Sequence, residues 1–191
     1  AAVDHLQTFG QERLPGPDGS TLPYPAFIAV VTGAAHATKR LPEDRIIELC
    51  RLLPLPAVLL GGPEEQAQGE RIAAQAGPHV INACGMLKLN QSAAVVKHAA
   101  KVVTHDTGLM HIAAAFRKEI ISIWGNTVPE FGMTPYFPAG MDKNTSMEVS
   151  GLPCRPCSKI GYAACPKGHF RCMREIDLKV VAGQAVNSPK T

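Results

Sequence analysis

The amino-acid sequence predicts an α/β fold, a doubly wound parallel sheet of the Rossmann-like kind. Three observations carry that expectation. Short apolar runs of strand length alternate with segments of helical periodicity. The runs are continuously apolar, as strands buried on both faces are. Each is followed closely by glycine or by small or polar residues, where a parallel sheet hands the chain to a loop.

The first run, residues 26–31 (Ala-Phe-Ile-Ala-Val-Val), ends at Thr32-Gly33. A polar loop through His36 and Lys39-Arg40 leads to Pro42, Glu43 and Asp44, the residue types that open a helix and suit its dipole. Ile46, Ile47, Leu49 and Leu53 then form one helical stripe. Residues 57–60 make a second strand ending at Gly61-Gly62, with a helix over residues 64–76. Residues 79–82 read as a third strand and 91–99 as a helix. Residues 101–104 make a fourth strand ending at His105-Asp106, and Thr107-Gly108 opens an apolar helix over 109–116. Residues 119–124 make a fifth strand ending at Gly125-Asn126-Thr127. Such an alternation implies right-handed βαβ units. Beyond Thr127 no helix or strand is legible until residues 173–186, where Ile176, Val180 and Val181 suggest a C-terminal helix. Residues 1–25 read as a linker or lead-in, and 26–191 as one domain with a Cys-rich tail over 150–173.

Composition narrows the function classes. A formal net charge of +3 gives little support to nucleic-acid binding. No apolar run is long enough for a membrane span. The first residues, Ala1-Ala2-Val3-Asp4-His5, show neither a signal-peptide pattern nor an initiating Met, and the expectation is that something upstream was removed. With no secretion signal, a cytoplasmic location is expected.

In an open parallel sheet, ligands bind beyond the C-terminal ends of the strands. Thr32-Gly33 with Lys39, Gly61-Gly62 with Glu65, His105-Asp106-Thr107-Gly108, and Gly125-Asn126-Thr127 all fall there. The most specific piece is residues 106–111, Asp-Thr-Gly-Leu-Met-His. Thr107 is expected to cap the helix through its hydroxyl, Gly108 to admit a ligand to the backbone, and the free N–H groups to hold an anion such as a phosphate. An ordinary Asp/Thr cap fits the same spacing. Lys39 reads either as a flexible cation for phosphate or as a solvated surface lysine. Glu65 fits a ribose diol or merely the helix dipole. His111 alone would more often be a packed core histidine, and Trp124 and Met86 read as core or pocket wall. Walker and G-x-G-x-x-G patterns are missing, which lowers the P-loop and dinucleotide readings.

Together these motifs resemble glycosyltransferase family nine, the ADP-heptose:lipopolysaccharide heptosyltransferases. The resemblance rests on Thr38-Lys39-Arg40-Leu41-Pro42, on Gly61-Gly62-Pro63-Glu64-Glu65, on Asp106 through His111 followed by small apolar residues, and on Gly125-Asn126-Thr127 with Pro135 beyond. It implies the C-terminal, donor-binding domain of a GT-B enzyme. Lys39 would neutralise the donor diphosphate. The Thr107, Gly108 and Leu109 amides, with the Thr107 hydroxyl, would hold it. Asp106 would bind sugar hydroxyls, Glu65 the ribose, and His111 would support the loop or contact phosphate. The donor would be an ADP-sugar, and the reaction a metal-independent displacement at the anomeric carbon. The acceptor, the lipopolysaccharide core, would bind an N-terminal domain that also carries the acidic base. That domain is expected to be missing, so no catalytic residue and no turnover are expected of this chain alone. No cofactor is implied. Peripheral contact with the inner face of the inner membrane would follow from the acceptor. The alternative is a non-catalytic module that binds a nucleotide sugar or polyanion.

Cys154, Cys157, Cys165 and Cys172 fall within 19 residues. Only Cys154-x2-Cys157 has the form of half a zinc knot, so free thiols are expected rather than a metal site.

Overall fold

The computed structural model describes residues 26–186. Six parallel strands form one sheet in the order β3-β2-β1-β4-β5-β6. They are β1 (Ile28–Val31), β2 (Ala57–Leu60), β3 (Val80–Asn82), β4 (Lys101–His105), β5 (Glu119–Trp124) and β6 (Asn144–Glu148). The helices are α1 (Glu43–Leu52), α2 (Gln66–Ala76), α3 (Leu89–His98), α4 (Gly108–Ala115), α5 (Arg171–Arg174) and α6 (Leu178–Val186).

The continuous apolar runs have the cause expected of them. Alternate residues of each strand enter opposite cores, because a strand turns successive side chains to opposite faces. Ile28 and Val30 join Ile46, Leu49, Ile72 and Val181 on the face covered by α1, α2 and α6. Ala29 and Val31 join Val58, Leu60, Val96, Met110 and Trp124 on the face covered by α3 and α4. Trp124 is fully buried and its indole N–H donates to Ser122 Oγ at 2.9 Å, whereas Met86 is 48% exposed and is not core.

Three expectations need correction. First, β6 lies within the stretch that showed no strand. Its residues, Asn144-Thr145-Ser146-Met147-Glu148, are polar and partly exposed because it is an edge strand, so no apolar run marks it. Second, the C-terminal helix is two helices. Asp177 Oδ1 accepts from the backbone N–H groups of Lys179 and Val180 at 3.0 and 3.1 Å, which fixes a new helix start. Val180 consequently points outward, and Leu178, Val181, Ala182 and Ala185 form the buried stripe. Third, the helix expected from residue 64 begins with a 3-10 turn, Pro63–Glu65, and becomes α-helical at Gln66. The lead-in expected over residues 1–25 lies outside the described residues.

The segment between β6 and α5 returns across the C-terminal end of the sheet. Arg155 donates to the Gly125 carbonyl at 2.5 Å and to the Thr127 carbonyl at 3.0 Å, and pairs with Glu148. Cys157 N donates to the Asn126 carbonyl at 3.2 Å. Thr38 and Tyr162 are tied twice through the threonine hydroxyl, which accepts from Tyr162 N at 2.8 Å and donates to Tyr162 O at 3.2 Å. Part of the Cys-rich tail is therefore a strap beside the crevice.

Candidate functional site

β1 and β4 are neighbours at the point where strand order reverses, the place where a doubly wound sheet leaves a crevice. A cleft of about 390 Å³ opens there. Its walls come from the ends of β1 (Gly33, Ala34, Arg40), β2 (Gly61, Gly62, Glu65) and β4 (Thr107, Leu109), with Leu87, Leu89 and Ser92 on the α3 side. Three of the four strand-end motifs thus share one cavity. The fourth, Gly125-Asn126-Thr127, supports it from behind.

Lys39 sits on a 3-10 turn, Ala37–Lys39. It is not a solvated lysine. Its side chain is 9% exposed, and Nζ lies 2.6 Å from Asp106 Oδ2. Thr127 Oγ1 donates to the same carboxylate oxygen at 3.4 Å. A buried pair of this kind holds only while both charges are present, because either one alone would be stranded in low dielectric. Asp106 therefore spends its charge on Lys39 in the free protein, not on a helix cap.

Thr107 is the N-cap residue of α4, with extended backbone, but its hydroxyl makes no capping bond. The expected side-chain cap is absent; the Thr107 carbonyl accepts from Met110 N at 3.1 Å, which closes the first turn and takes up that N–H. Gly108 and Leu109 keep N–H groups that a helix cannot satisfy internally. A Cβ at Gly108 would meet nothing within 4 Å, so the first turn faces open space. His111 is exposed on α4, not packed in the core.

Glu65 is buried, and its seat explains the glycines around it. Oε2 accepts from Gly62 N at 2.8 Å, and Oε1 lies 2.9 Å from Arg40 Nη1. A Cβ at Gly33 would sit 2.9 Å from Glu65 Oε2, and one at Gly61 would sit 2.8 Å from the Glu65 Cβ. Any larger residue at either position would push the carboxylate out of the cleft.

Sequence reasoning passed over two participants. Arg40 lines the cleft, with Nε donating to the Ala34 carbonyl at 2.7 Å. Next to Lys39 in a polar loop it carried no mark beyond a second positive charge. His105 is buried at the end of β4, and its Nε2 accepts from Leu41 N at 3.0 Å. Its Nδ1 is buried without a hydrogen-bond partner among the described residues. Burial, and then the Arg40 charge, push its pKa down to about 4. It is a neutral acceptor that ties the Lys39 loop to β4. It stands at the head of the third motif, where the sequence showed its place but not its role.

The thiols differ. Burial pushes Cys84, behind Thr32, up to about 11, and Cys172 likewise to about 11. Cys157 Sγ donates to the Cys154 carbonyl at 2.7 Å, and Cys154 Sγ lies 3.8 Å from His169 Nε2. Among the described residues no three His, Cys, Asp or Glu side chains are grouped as metal ligands.

With this geometry in view, a family model described as glycosyltransferase family 9 (heptosyltransferase) matches residues 11–164. The chain belongs to that family. Lipooligosaccharide heptosyltransferase 2 of Haemophilus influenzae is 33% identical over 119 residues, covering 58% of this chain and 33% of that protein. Lipopolysaccharide heptosyltransferase 2 of Escherichia coli is 29% identical over 100 residues, covering 49% of this chain and 29% of that protein. Among solved structures, E. coli heptosyltransferase WaaC with ADP aligns at a TM-score of 0.56 and 25% identity, covering 64% of this chain and 37% of that one. A family 9 glycosyltransferase from Veillonella parvula aligns at 0.64 and 21% identity, covering 84% and 45%, which supports the fold. The match thus spans less than half the length of these relatives. No helix among the described residues is long and apolar enough to cross a membrane.

Proposed function

We propose that this chain is the donor-binding domain of a family 9 glycosyltransferase, taking an ADP-sugar of the ADP-heptose type. The observation that carries the reading is the cleft at the strand-order reversal, which gathers Glu65, Arg40, Thr107 and Leu109 beside the open first turn of α4. Glu65 grips the ribose diol. The diphosphate lies on the Gly108 and Leu109 amides, which are preorganised for charge that develops there. Lys39 and Asp106 stand behind that turn, Asp106 toward the sugar and Lys39 toward the phosphate, and His111 borders the phosphate side. A relative solved with ADP and another family member that transfers heptose to lipopolysaccharide support the choice of nucleotide and sugar.

The transfer proceeds as displacement at the anomeric carbon. An acceptor hydroxyl oxygen bonds to that carbon as its bond to the diphosphate breaks. ADP leaves with the bonding pair, and the hydroxyl proton passes to an acidic base. We assign that base, and the lipopolysaccharide-core acceptor site, to a facing domain distinct from this donor-binding one, so the donor-binding domain holds the nucleotide sugar and does not itself supply the base. The work would take place at the cytoplasmic face of the inner membrane, where that acceptor is built.

Calorimetry with ADP tests the reading. The folded chain is expected to bind ADP, and to bind adenosine more weakly because the diphosphate contacts are lost. No heat with ADP at millimolar concentration would overturn it.

A further inference from the structure

The charges around the cleft do not balance in the way the motifs alone imply. Lys39 is buried and already paired with Asp106 at 2.6 Å, so its charge is spent within the protein. Glu65 is buried at the cleft wall, and Glu64 lines the cleft beside it. Left there, these groups would make the cavity repel a diphosphate. The cation that faces the cavity is Arg40, with a side chain 31% exposed against 9% for Lys39.

Arg40 is also held. Nε donates to the Ala34 carbonyl at 2.7 Å, Nη2 donates to the same carbonyl, and Nη1 pairs with Glu65 Oε1 at 2.9 Å. A guanidinium carries five N–H donors in a fixed plane. The three contacts leave one hydrogen on each terminal nitrogen uncommitted, on a side chain that lines the cleft.

Resting on the donor-binding reading above, we infer that Arg40 is a second diphosphate-binding residue, which also positions Glu65 for the ribose. Nη1 fixes the Glu65 carboxylate while the remaining hydrogens of Nη1 and Nη2 meet phosphate oxygens. One planar group thereby sets the spacing between the ribose contact and the phosphate contact. Lys39 then acts chiefly by orienting Asp106 and the loop that carries Arg40.

The test compares Arg40→Gln and Arg40→Lys with the parent chain, using ADP and adenosine as probes in calorimetry. Arg40→Gln is expected to weaken ADP binding by about 10- to 100-fold, as the loss of a charge-assisted bond does. Adenosine binding is expected to fall only by about threefold, through a loosened Glu65. Arg40→Lys is expected to recover most of the ADP affinity, because it restores the charge, while adenosine binding stays reduced because an ammonium cannot hold the Ala34 carbonyl with a fork and meet Glu65 at the same time. The salt dependence of ADP binding should flatten in Arg40→Gln. Equal losses for ADP and adenosine, or an Arg40→Lys variant as weak toward ADP as Arg40→Gln, would overturn the diphosphate role. Should Arg40→Gln not fold, the ratio of ADP to adenosine affinity in Arg40→Lys and the parent's own salt dependence decide. A parent chain that binds ADP while Arg40→Gln binds it equally well sinks this inference alone. A parent chain that binds no ADP sinks the donor reading itself.

Discussion

The cleft has two kinds of wall. Over β1, β2 and β4 it is made of strand-end residues, with Arg40 paired to Glu65 in the lining and Lys39 paired to Asp106 beneath it. Over β5 and β6 it is backed by the strap of residues 154–162, where the Arg155 guanidinium bonds the Gly125 and Thr127 carbonyls, Cys157 N bonds the Asn126 carbonyl, and the Thr38 hydroxyl bonds the Tyr162 backbone. The first wall needs particular charges, because a buried ion has few substitutes for its partner. The second meets backbone groups at one end of each bond, which any residue supplies, so its demand for identity falls on Arg155 and Thr38 alone.

The largest expected effect falls on the charged wall. Lys39→Met leaves the Asp106 carboxylate buried without its cation and should cost about 3–5 kcal/mol in denaturant unfolding. Adding Asp106→Asn should recover a large part of that loss. A single variant as stable as the parent would show that the pair is solvent-relaxed and that the contrast between the walls is false.

Next comes pH. The His105 pKa is lowered from 6.5 to about 4 in the folded chain, so the unfolded chain takes up a proton first. Stability should be unaffected above about pH 6.5, fall as pH drops through the window to about 4, and level off below it, with a total loss of about 3 kcal/mol from this group. His105→Gln, which keeps an acceptor for Leu41 N, should lack that part of the decline. Parallel urea titrations at pH 7.5 and 4.5 measure the difference, and an unchanged slope in the variant would remove His105 from the account.

The smallest effect tests the strap. Thr38→Val keeps the shape but removes both hydroxyl bonds to Tyr162, and should cost about 1–2 kcal/mol. It should also weaken ADP binding, with Thr38→Ser restoring both. Loss of stability without loss of binding would mean that the strap braces the fold but not the Lys39 loop.

The contrast between the walls also explains what could be read from sequence. Strands β1 to β5 were legible because both faces are buried, which writes an apolar run into each. Glu65, Asp106, Thr107 and Gly108 were legible as places because parallel strands deliver their loops to one end. Partners were not legible. Nothing local says that Lys39 meets Asp106, 67 residues away, or that Arg40 turns to Glu65. β6 escaped notice because an edge strand with a polar outer face resembles a loop in composition. Thr107 showed the cap-forming residue type, yet its backbone carbonyl closes the turn and its hydroxyl is left toward the cleft. The strap was hidden for a plainer reason: Arg155 and Thr38 each bond backbone groups far along the chain, and a backbone partner leaves no residue signature.

The clasp between Thr38 and Tyr162 joins positions 124 residues apart. During synthesis the Lys39 turn leaves the ribosome long before its fastener does. At common elongation rates of about 5–20 residues per second, the delay is about 6–25 s. Late in that interval β1 to β5 have emerged and can pair, while the ligand cradle still has nothing to latch onto. The nascent domain therefore passes through a stage that is folded in its sheet and unfinished at its mouth, and the order in which the chain emerges sets when nucleotide can first be held.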